Sequence, residues 1–476
     1  MTKKSTIKIG DIVFDTSIYP RDKWQTHLIE SYSDAIKSGA KFPAIIVEEG
    51  TNRLIDGLHR VKAHQRYAEE YGKSQNTDGW SEPQDELLAE FHVIPDGIPP
   101  KLYAASFSVN HGKRIAPAER RSIAREVYKS NPTFIMETLA KYLGVSKSSA
   151  HDYVSDIIAM QREERRNTAY RLHRLGWTNE EIGEVLGITG QAYATGFLKE
   201  FPELEKLSKS LLKSGLPVSE VAQRFNLPPI LAWSITLDGK EDAKRLDALD
   251  IKIQPYDVWN FVSCNDLFGD DHPGRIPGQV VAHVLYFFTN EGDVVIDPMA
   301  GSGTTSDVCL SMGRKCYAYD IDDRHKRADI IQHDMTEGWP DRIKKANLVF
   351  WDAPYFSKMD DANIGENGYM EGSISKLSRE KYLLFFSDRL REAQKLARKG
   401  TKLAFLMSDW DDNTGKNDGI FIWDYANLIA SSGWNLMRHI QVPLSTQQVH
   451  PDIVNKFRLS RRLARLERYL LIAELK

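Results

Sequence analysis

Residues 293–322 read DVVIDPMAGSGTTSDVCLSMGRKCYAYDID, and this stretch decides the fold of the C-terminal half. A short apolar run ends in Asp297 and Pro298, and Ala300, Gly301, Ser302 and Gly303 make a tight turn. A helical segment closed by Gly313 follows, and a second apolar run ends in Asp320. Strand, glycine turn, helix and strand are the opening unit of a doubly wound sheet. Glycines lacking Cβ let the backbone come close to a ligand, and an acid about 20 residues on accepts hydrogen bonds from ribose hydroxyls. Asp320 stands at that place, so the unit is expected to hold a nucleoside. The alternative is a glycine turn that only packs a helix on a sheet.

A dinucleotide site calls for G-x-G-x-x-G, but Thr304, Thr305 and Ser306 follow Gly303 and no third glycine appears. Asp297, directly before the turn, would repel a pyrophosphate and attract a cation or an amine. S-adenosyl-L-methionine carries a ribose, an ammonium and a sulfonium, and no phosphate. DPMAGSGTT resembles the D-P-F-x-G-S-G-T-T signature of DNA amino-methyltransferases. The resemblance implies that Asp297, Pro298, Ala300, Gly301, Ser302, Gly303, Thr304 and Asp320 bind that cofactor. A further short strand over residues 328–334 ends in Asp334, which fits the family position that binds the cofactor's adenine amino group. Its alternative is an exposed strand-end aspartate.

Asn347, Leu348, Val349, Phe350 and Trp351 then read as a strand that brings Asp352, Ala353, Pro354 and Tyr355 to the carboxyl edge, 55 residues beyond Asp297. The string resembles the D-P-P-Y motif of enzymes that methylate exocyclic amines. The adenine N6 lone pair is delocalised into the ring and is a poor nucleophile. The resemblance implies that the Asp352 carboxylate and the Ala353 carbonyl accept the two amine hydrogens and turn the lone pair towards the methyl. Tyr355 would stack on a base flipped out of the duplex. Neither a metal nor a covalent intermediate is expected. Alanine in place of the first proline keeps the carbonyl and loses rigidity. Asp at 352 favours adenine N6 over cytosine N4, which shares the mechanism. The apolar segment 278–288 resembles the family's segment beside the methionine end of the cofactor, and within it His283 reads as a satisfied core histidine. Arg461, Arg462, Arg465 and Arg468 read as a phosphate clamp or as a solvated helix face.

Residues 1–112 read as an α+β unit. Alternation predicts a strand over Ile7–Phe14, and a helix is expected near Thr26–Lys37. A buried strand over residues 42–47 and its partner over 53–56 lead into Gly57, Leu58, His59 and Arg60, which open a second helix. The polar stretch 71–86 reads as an exposed insertion. This order resembles the ParB/sulfiredoxin-like N-terminal domain, and Gly57, His59 and Arg60 match its D-G-x-H-R form. The resemblance implies a phosphate or nucleotide cradle at a helix N-terminus, with residues 109–113 as a second phosphate-side motif. The alternative is a scaffold turn.

Residues 113–245 read as helical, with three helix-turn-helix passages at 139–154, 177–192 and 217–229. In the first, Gly144 makes the turn and Ser146 caps a helix that aims Lys147, Ser148, Ser149 and His151 outward to DNA. DNA contact weakens as an expectation from the first passage to the third. Asp238–Asp250 reads as a linker, and residues 246–476 as a Rossmann-like S-adenosyl-L-methionine-dependent methyltransferase domain. The expected fold class is thus α/β: an α+β domain, an all-α region, then a Rossmann-like domain.

With 63 basic and 66 acidic residues the formal net charge is −3, so any nucleic-acid contact must come from local patches. Cys264, Cys309 and Cys316 lack metal spacing and read as reduced core residues of a cytoplasmic protein. No apolar run approaches the ~20 residues that span a bilayer. Expected partners are DNA and no membrane, with a nucleotide at the N-terminal turn and a second copy of the chain left open. Two other readings stand beside a DNA methyltransferase: a DNA-binding regulator with an inactive methyltransferase fold, and a methyltransferase acting on RNA or another amine.

Overall fold

The computed structural model describes residues 3–21, 24–110, 115–187, 191–261, 263–270, 275–322, 327–356, 373–410, 419–443, 451–459, 461 and 467–476. The chain packs as two units, Met1–Arg162 and Glu163–Lys476.

In the first unit, β1 (Lys3–Lys8), α1 (Thr26–Lys37), β2 (Ile45–Glu48), β3 (Leu54–Asp56), α2 (Leu58–Lys73) and β4 (Glu86–His92) build a four-stranded sheet in the order β1-β4-β2-β3. Strands β2 and β4 are parallel and the other pairings antiparallel. The strand expected over Ile7–Phe14 lies earlier. The chain tightens into a 3-10 turn at Ile9–Asp11, and Val13 keeps only a bridge to Arg53. The expected insertion at 71–86 is tied down in part. Tyr71 continues α2 and meets Tyr67 and Trp80, and the Lys37 ammonium lies 3.5 Å from the centre of the Trp80 ring. Next come α3 (Pro100–Asn110), α4 (Pro117–Ser130), α5 (Met136–Leu143) and α6 (Lys147–Arg174), of which the last turns belong to the second unit. Gly144 ends α5 in the left-handed region at φ 63°, and Ala150, Val154 and Ile157 of α6 join Leu139 and Leu143 in one apolar core.

After the tail of α6 the second unit continues with α7 (Asn179–Val185), the long α8 (Gln191–Lys213), α9 (Val218–Phe225), α10 (Pro229–Leu237) and α11 (Asp242–Ala248). Thr178 caps α7 in a capping box with Glu181. The Asp/Lys-rich segment expected as a linker is instead held in place by α11. Arg245 is buried and bonds the Lys240 carbonyl, while Arg314, fully buried, grips both oxygens of Asp242 at 2.6 Å. Leu246, Leu249 and Ile251 enter the core, an apolar spacing that the surrounding charges hide.

There follow α12 (Gly278–Phe288), β5 (Val294–Asp297), α13 (Thr304–Met312), β6 (Lys315–Asp320), β7 (Ile330–Gln332), β8 (Leu348–Asp352), α14 (Arg379–Leu396), β9 (Lys402–Met407), α15 (Ile422–Ser431), β10 (Trp434–Gln441), α16 (Pro451–Leu459) and β11 (Tyr469–Leu475). The strands form one sheet in the order β10-β11-β9-β8-β5-β6-β7. Five strands run parallel from β9 to β7, and β11 and β10 close one side antiparallel. This is a doubly wound, Rossmann-like sheet. Strand order reverses between β5 and β8, where open α/β sheets place a ligand crevice outside the carboxyl ends. The apolar runs that predicted buried strands are buried: Val295, Ile296, Leu348, Val349, Phe350 and Trp351 are without exposed surface.

Candidate active site at the carboxyl edge of the seven-stranded sheet

Between β5 and α13 the chain turns through Gly301 (φ 50°) and Gly303 (φ 82°), conformations that side chains resist. The Ala300 N–H donates to the Tyr319 carbonyl at 2.8 Å, and the Gly301 N–H donates to Asp320 Oδ2 at 2.8 Å. The acid that ends β6 therefore fixes the turn that leaves β5. Its other oxygen accepts the Asp322 N–H at 2.9 Å. The two glycines differ. A Cβ on Gly301 would meet nothing within 4 Å, whereas one on Gly303 would lie 2.5 Å from the Arg327 guanidinium carbon. Gly301 faces open space, and Gly303 is bare because an arginine packs against it.

Asp297 ends β5 and Asp352 ends β8, on adjacent parallel strands of the same edge. Burial pushes the Asp297 carboxyl up to about 7. The Thr305 hydroxyl and the Met299 N–H at 3.1 Å oppose that, and the charges of Asp352 and Asp320 add to it. Burial likewise pushes Asp352 up to about 6, against the pull of the Arg468 charge and a 3.1 Å hydrogen bond donated by the Tyr355 hydroxyl. Ala353 is buried and Pro354 half-buried, and the Pro354 carbonyl accepts from the Tyr382 hydroxyl at 2.9 Å. Tyr355 is half-buried, and Phe356 packs edge-on to Trp410 at 4.8 Å. Two raised carboxyls on one rim form a centre that accepts positive charge or amine hydrogens, because neutralising them relieves their own desolvation.

A second acid pair lies beside the turn. Asp307 of α13 and Asp329 both receive Arg327, through bonds of 2.9 to 3.1 Å, and both pair with Arg171 of α6. Burial alone would raise Asp329, but the Arg171 and Arg327 guanidiniums overcome it and hold the carboxyl well below the usual range. Asp307 also accepts the Gly269 N–H at 2.7 Å, which ties a preceding loop over the turn. Ser302 and Thr304 are buried beneath that loop, and Pro298 follows Asp297 into the turn.

Asp334 is half-buried just past β7, where its Oδ1 accepts the Thr336 N–H at 2.8 Å. His283 is fully buried against Trp259 and Phe261. Its Nδ1 lies 2.7 Å from the Gln279 carbonyl, its Nε2 accepts the Gln254 N–H at 3.0 Å, and burial lowers its pKa. It is a satisfied core histidine. Arg468 is neither of the two expected things: it is 6% exposed, leads into β11 and bonds the Val442 carbonyl. Arg461 is exposed, while Arg462 and Arg465 lie outside the described residues.

In the first unit, Gly57 (φ 107°) opens α2, and a Cβ there would strike Ile45 at 2.7 Å. Arg60 donates to the carbonyls of Pro43 (2.7 Å) and Ala44 (2.6 Å) and to Asp56 (2.6 Å). His59 Nε2 accepts the Gln25 N–H at 3.0 Å. These bonds tie the turn to its own unit, and a cavity of about 1060 Å³ lies beside them, walled by Tyr19, Trp24, Phe42 and His59. Of residues 109–113, 111–113 lie outside the described residues.

Lys147, Ser148 and His151 are exposed at the start of α6, and Lys147 pairs with Glu137. Ser149 does not point outward. Its N–H donates to the Ser146 hydroxyl at 3.0 Å and the two hydroxyls bond at 2.9 Å, so it completes the cap. The later passages pack on the seven-stranded sheet's unit. Trp177 donates to the Cys316 carbonyl at 2.9 Å, and Ile230, Leu231, Ala232, Ile235 and Leu237 of α10 are buried. Helix α10 of the third passage, covered in this way, cannot enter a groove.

A family model described as DNA methylase, of the N6/N4 type, matches residues 226–332, which hold the glycine turn and stop short of Asp352. Among curated proteins, the DNA adenine methyltransferase YhdJ of Escherichia coli (strain K12) is 31% identical over 90 residues, 17% of this chain and 31% of that protein. The type II methyltransferases M.BglII of Bacillus subtilis (30% over 89 residues, 18% and 24%) and M.HpaI of Haemophilus parainfluenzae (36% over 70 residues, 14% and 22%) are also similar. The chain spans less than a third of the length of these relatives.

Proposed function

We propose that the chain is an S-adenosyl-L-methionine-dependent DNA methyltransferase acting on an exocyclic amine, adenine N6, with the first unit reading DNA. The observation that carries this is the shared edge: Asp297 and Asp352 end neighbouring strands beside a glycine turn whose Gly301 side is open. The match of residues 226–332 to the DNA methylase family supports it.

In this reading Gly301, Ala300, Ser302, Gly303, Thr304 and Pro298 shape the turn around the cofactor, Asp320 and Asp334 accept from its nucleoside, and Asp297 faces its positive end. Asp352 and the Ala353 carbonyl accept the two amine hydrogens. S-adenosyl-L-methionine, where bound, would supply an electrophilic methyl group, and Asp352 with the Ala353 carbonyl would hold the amine so that its nitrogen lone pair is presented to it. The extra proton on nitrogen leaves through Asp352, a carboxyl raised close to working pH. Tyr355 releases its hydrogen bond to Asp352 and turns its ring to the flipped base. Lys147, Ser148 and His151 meet DNA, and the first unit is a ParB/sulfiredoxin-like domain.

The test is to methylate mixed-sequence DNA with labelled cofactor, digest it and identify the base. N6-methyladenine is the expected product, N4-methylcytosine would move the target to cytosine, and absence of transfer with intact DNA binding would leave a DNA-binding protein alone.

A further inference from the structure

Ser302 and Gly303 are joined by the peptide on which the glycine turn pivots. The Ser302 carbonyl accepts two hydrogen bonds, from the Asp270 N–H at 3.1 Å and from Arg327 Nη1 at 2.9 Å. The same guanidinium fills the space where a Gly303 side chain would stand. Its other hydrogen bonds run to Asp307 and Asp329, its Nη1 also pairs with the Asp270 carboxylate at 3.7 Å, and Asp307 holds the loop at Gly269. Arg327 thus touches the turn, the loop over it both at Asp270 and through Asp307, and the acid pair beside it. Arg171 reaches the same two acids, and among the described residues its bonds go to them and not to the turn.

We propose that Arg327 is a positioning residue for the methyl donor: by gripping the Ser302 carbonyl and filling the Gly303 side, it sets the turn so that its open Gly301 side receives the cofactor. The inference rests on the function proposed above. A planar guanidinium can bridge two carboxylates and a carbonyl at once. A lysine ammonium, a compact charge on a flexible stem, keeps the charge and loses that bridge. Arg171 stabilises the acid pair and does not shape the turn.

The full chain is compared as wild type, Arg327→Lys, Arg171→Lys and Gly303→Ala. Binding of S-adenosyl-L-methionine and of S-adenosylhomocysteine is measured calorimetrically, unfolding is followed in urea without cofactor, and steady-state transfer is measured. Arg327→Lys should raise both dissociation constants by about tenfold or more, and raise KM for the cofactor by a larger factor than kcat falls. Arg171→Lys should lower the urea midpoint at least as far while cofactor affinity stays within about twofold. Gly303→Ala, which drives the guanidinium off the turn, should weaken cofactor as Arg327→Lys does, and it answers the question if Arg327→Lys fails to fold. Wild-type affinity in Arg327→Lys or in Gly303→Ala overturns the proposal, as does a loss of affinity in Arg171→Lys equal to that in Arg327→Lys. If wild type itself binds neither compound, the functional reading falls together with this one. Binding that is intact in wild type and variant alike removes only the role of Arg327.

Discussion

Asp297 and Asp352 end neighbouring strands of the seven-stranded sheet, while Asp307 and Asp329 sit beside the turn that joins the first of those strands to its helix. All are acids in a low-dielectric setting, yet burial raises Asp297 and Asp352 to about 7 and about 6, and two arginines hold Asp329 far below the usual range. The difference lies in what the fold supplies. Around Asp329 it brings Arg171 and Arg327 into bonding range and the charge is matched internally. At the sheet edge it leaves the cost of burial largely uncompensated, which disfavours the ionised protein and favours whatever brings positive charge or amine hydrogens. One pair is built for stability, the other for a ligand.

Four measurements sharpen or break that contrast. Asp352→Ala should lower methyl transfer by about 10²–10⁴-fold while DNA binding is kept. A loss confined to DNA affinity would take Asp352 out of the chemistry. Asp329→Asn should cost about 3–5 kcal/mol in urea unfolding, because it strands buried guanidiniums. A small loss would mean that the pair is not the strut described. Transfer at saturating cofactor should fall by about tenfold per pH unit below about pH 6, as Asp352 takes up a proton, and a profile flat to pH 5 would contradict the role given to it. Asp297→Asn should weaken cofactor binding yet raise the cofactor-free melting temperature at pH 7.5.

The two pairs also predict opposite responses of stability to pH. Folded Asp297 binds its proton more tightly than in the unfolded chain. Its contribution is therefore present below the ordinary carboxylate range and lost as pH rises to about 7. Asp329, depressed in the fold, contributes above that range and loses its contribution as pH falls. Across pH 4–8 Asp329→Asn should stay below wild type by a nearly constant margin, whereas Asp297→Asn should move from parity near pH 4 to a higher melting temperature than wild type above about pH 7.

The sheet edge was legible because its signals are local. DPMAGSGTT and DAPY each carry turn, strand end and acid within a few residues, and their order along the chain agrees with adjacent strands. The stabilising pair was not legible, since Arg171 and Asp307 are 136 residues apart and an acid inside a short helix reads as a solvated face. The signal available was that α13 otherwise holds only small hydroxyl and apolar residues and offers Asp307 no basic partner a turn away. Helix α11 hid behind its charges for a similar reason. The helix-turn-helix passages show the limit of pattern reading. Gly144 and Asn226 close α5 and α9 in the same left-handed turn, but the start of α6 is exposed and α10 is core. Turn chemistry is written in sequence, whereas what covers a helix is decided by the rest of the fold.

Strand β11 comes after β10 in the chain yet lies between β10 and β9. While the polypeptide is being made, β10 can bond, among the described residues, only the 257–259 segment through Gln441, and its place in the sheet waits until Tyr469–Leu475 emerges and slots in from the side. Arg468 arrives on the same segment, and with it the cation that moderates Asp352. Assembly of the proposed methyl-transfer centre is therefore gated by the order of synthesis: a nascent chain that already holds both motifs still lacks the piece that tunes them.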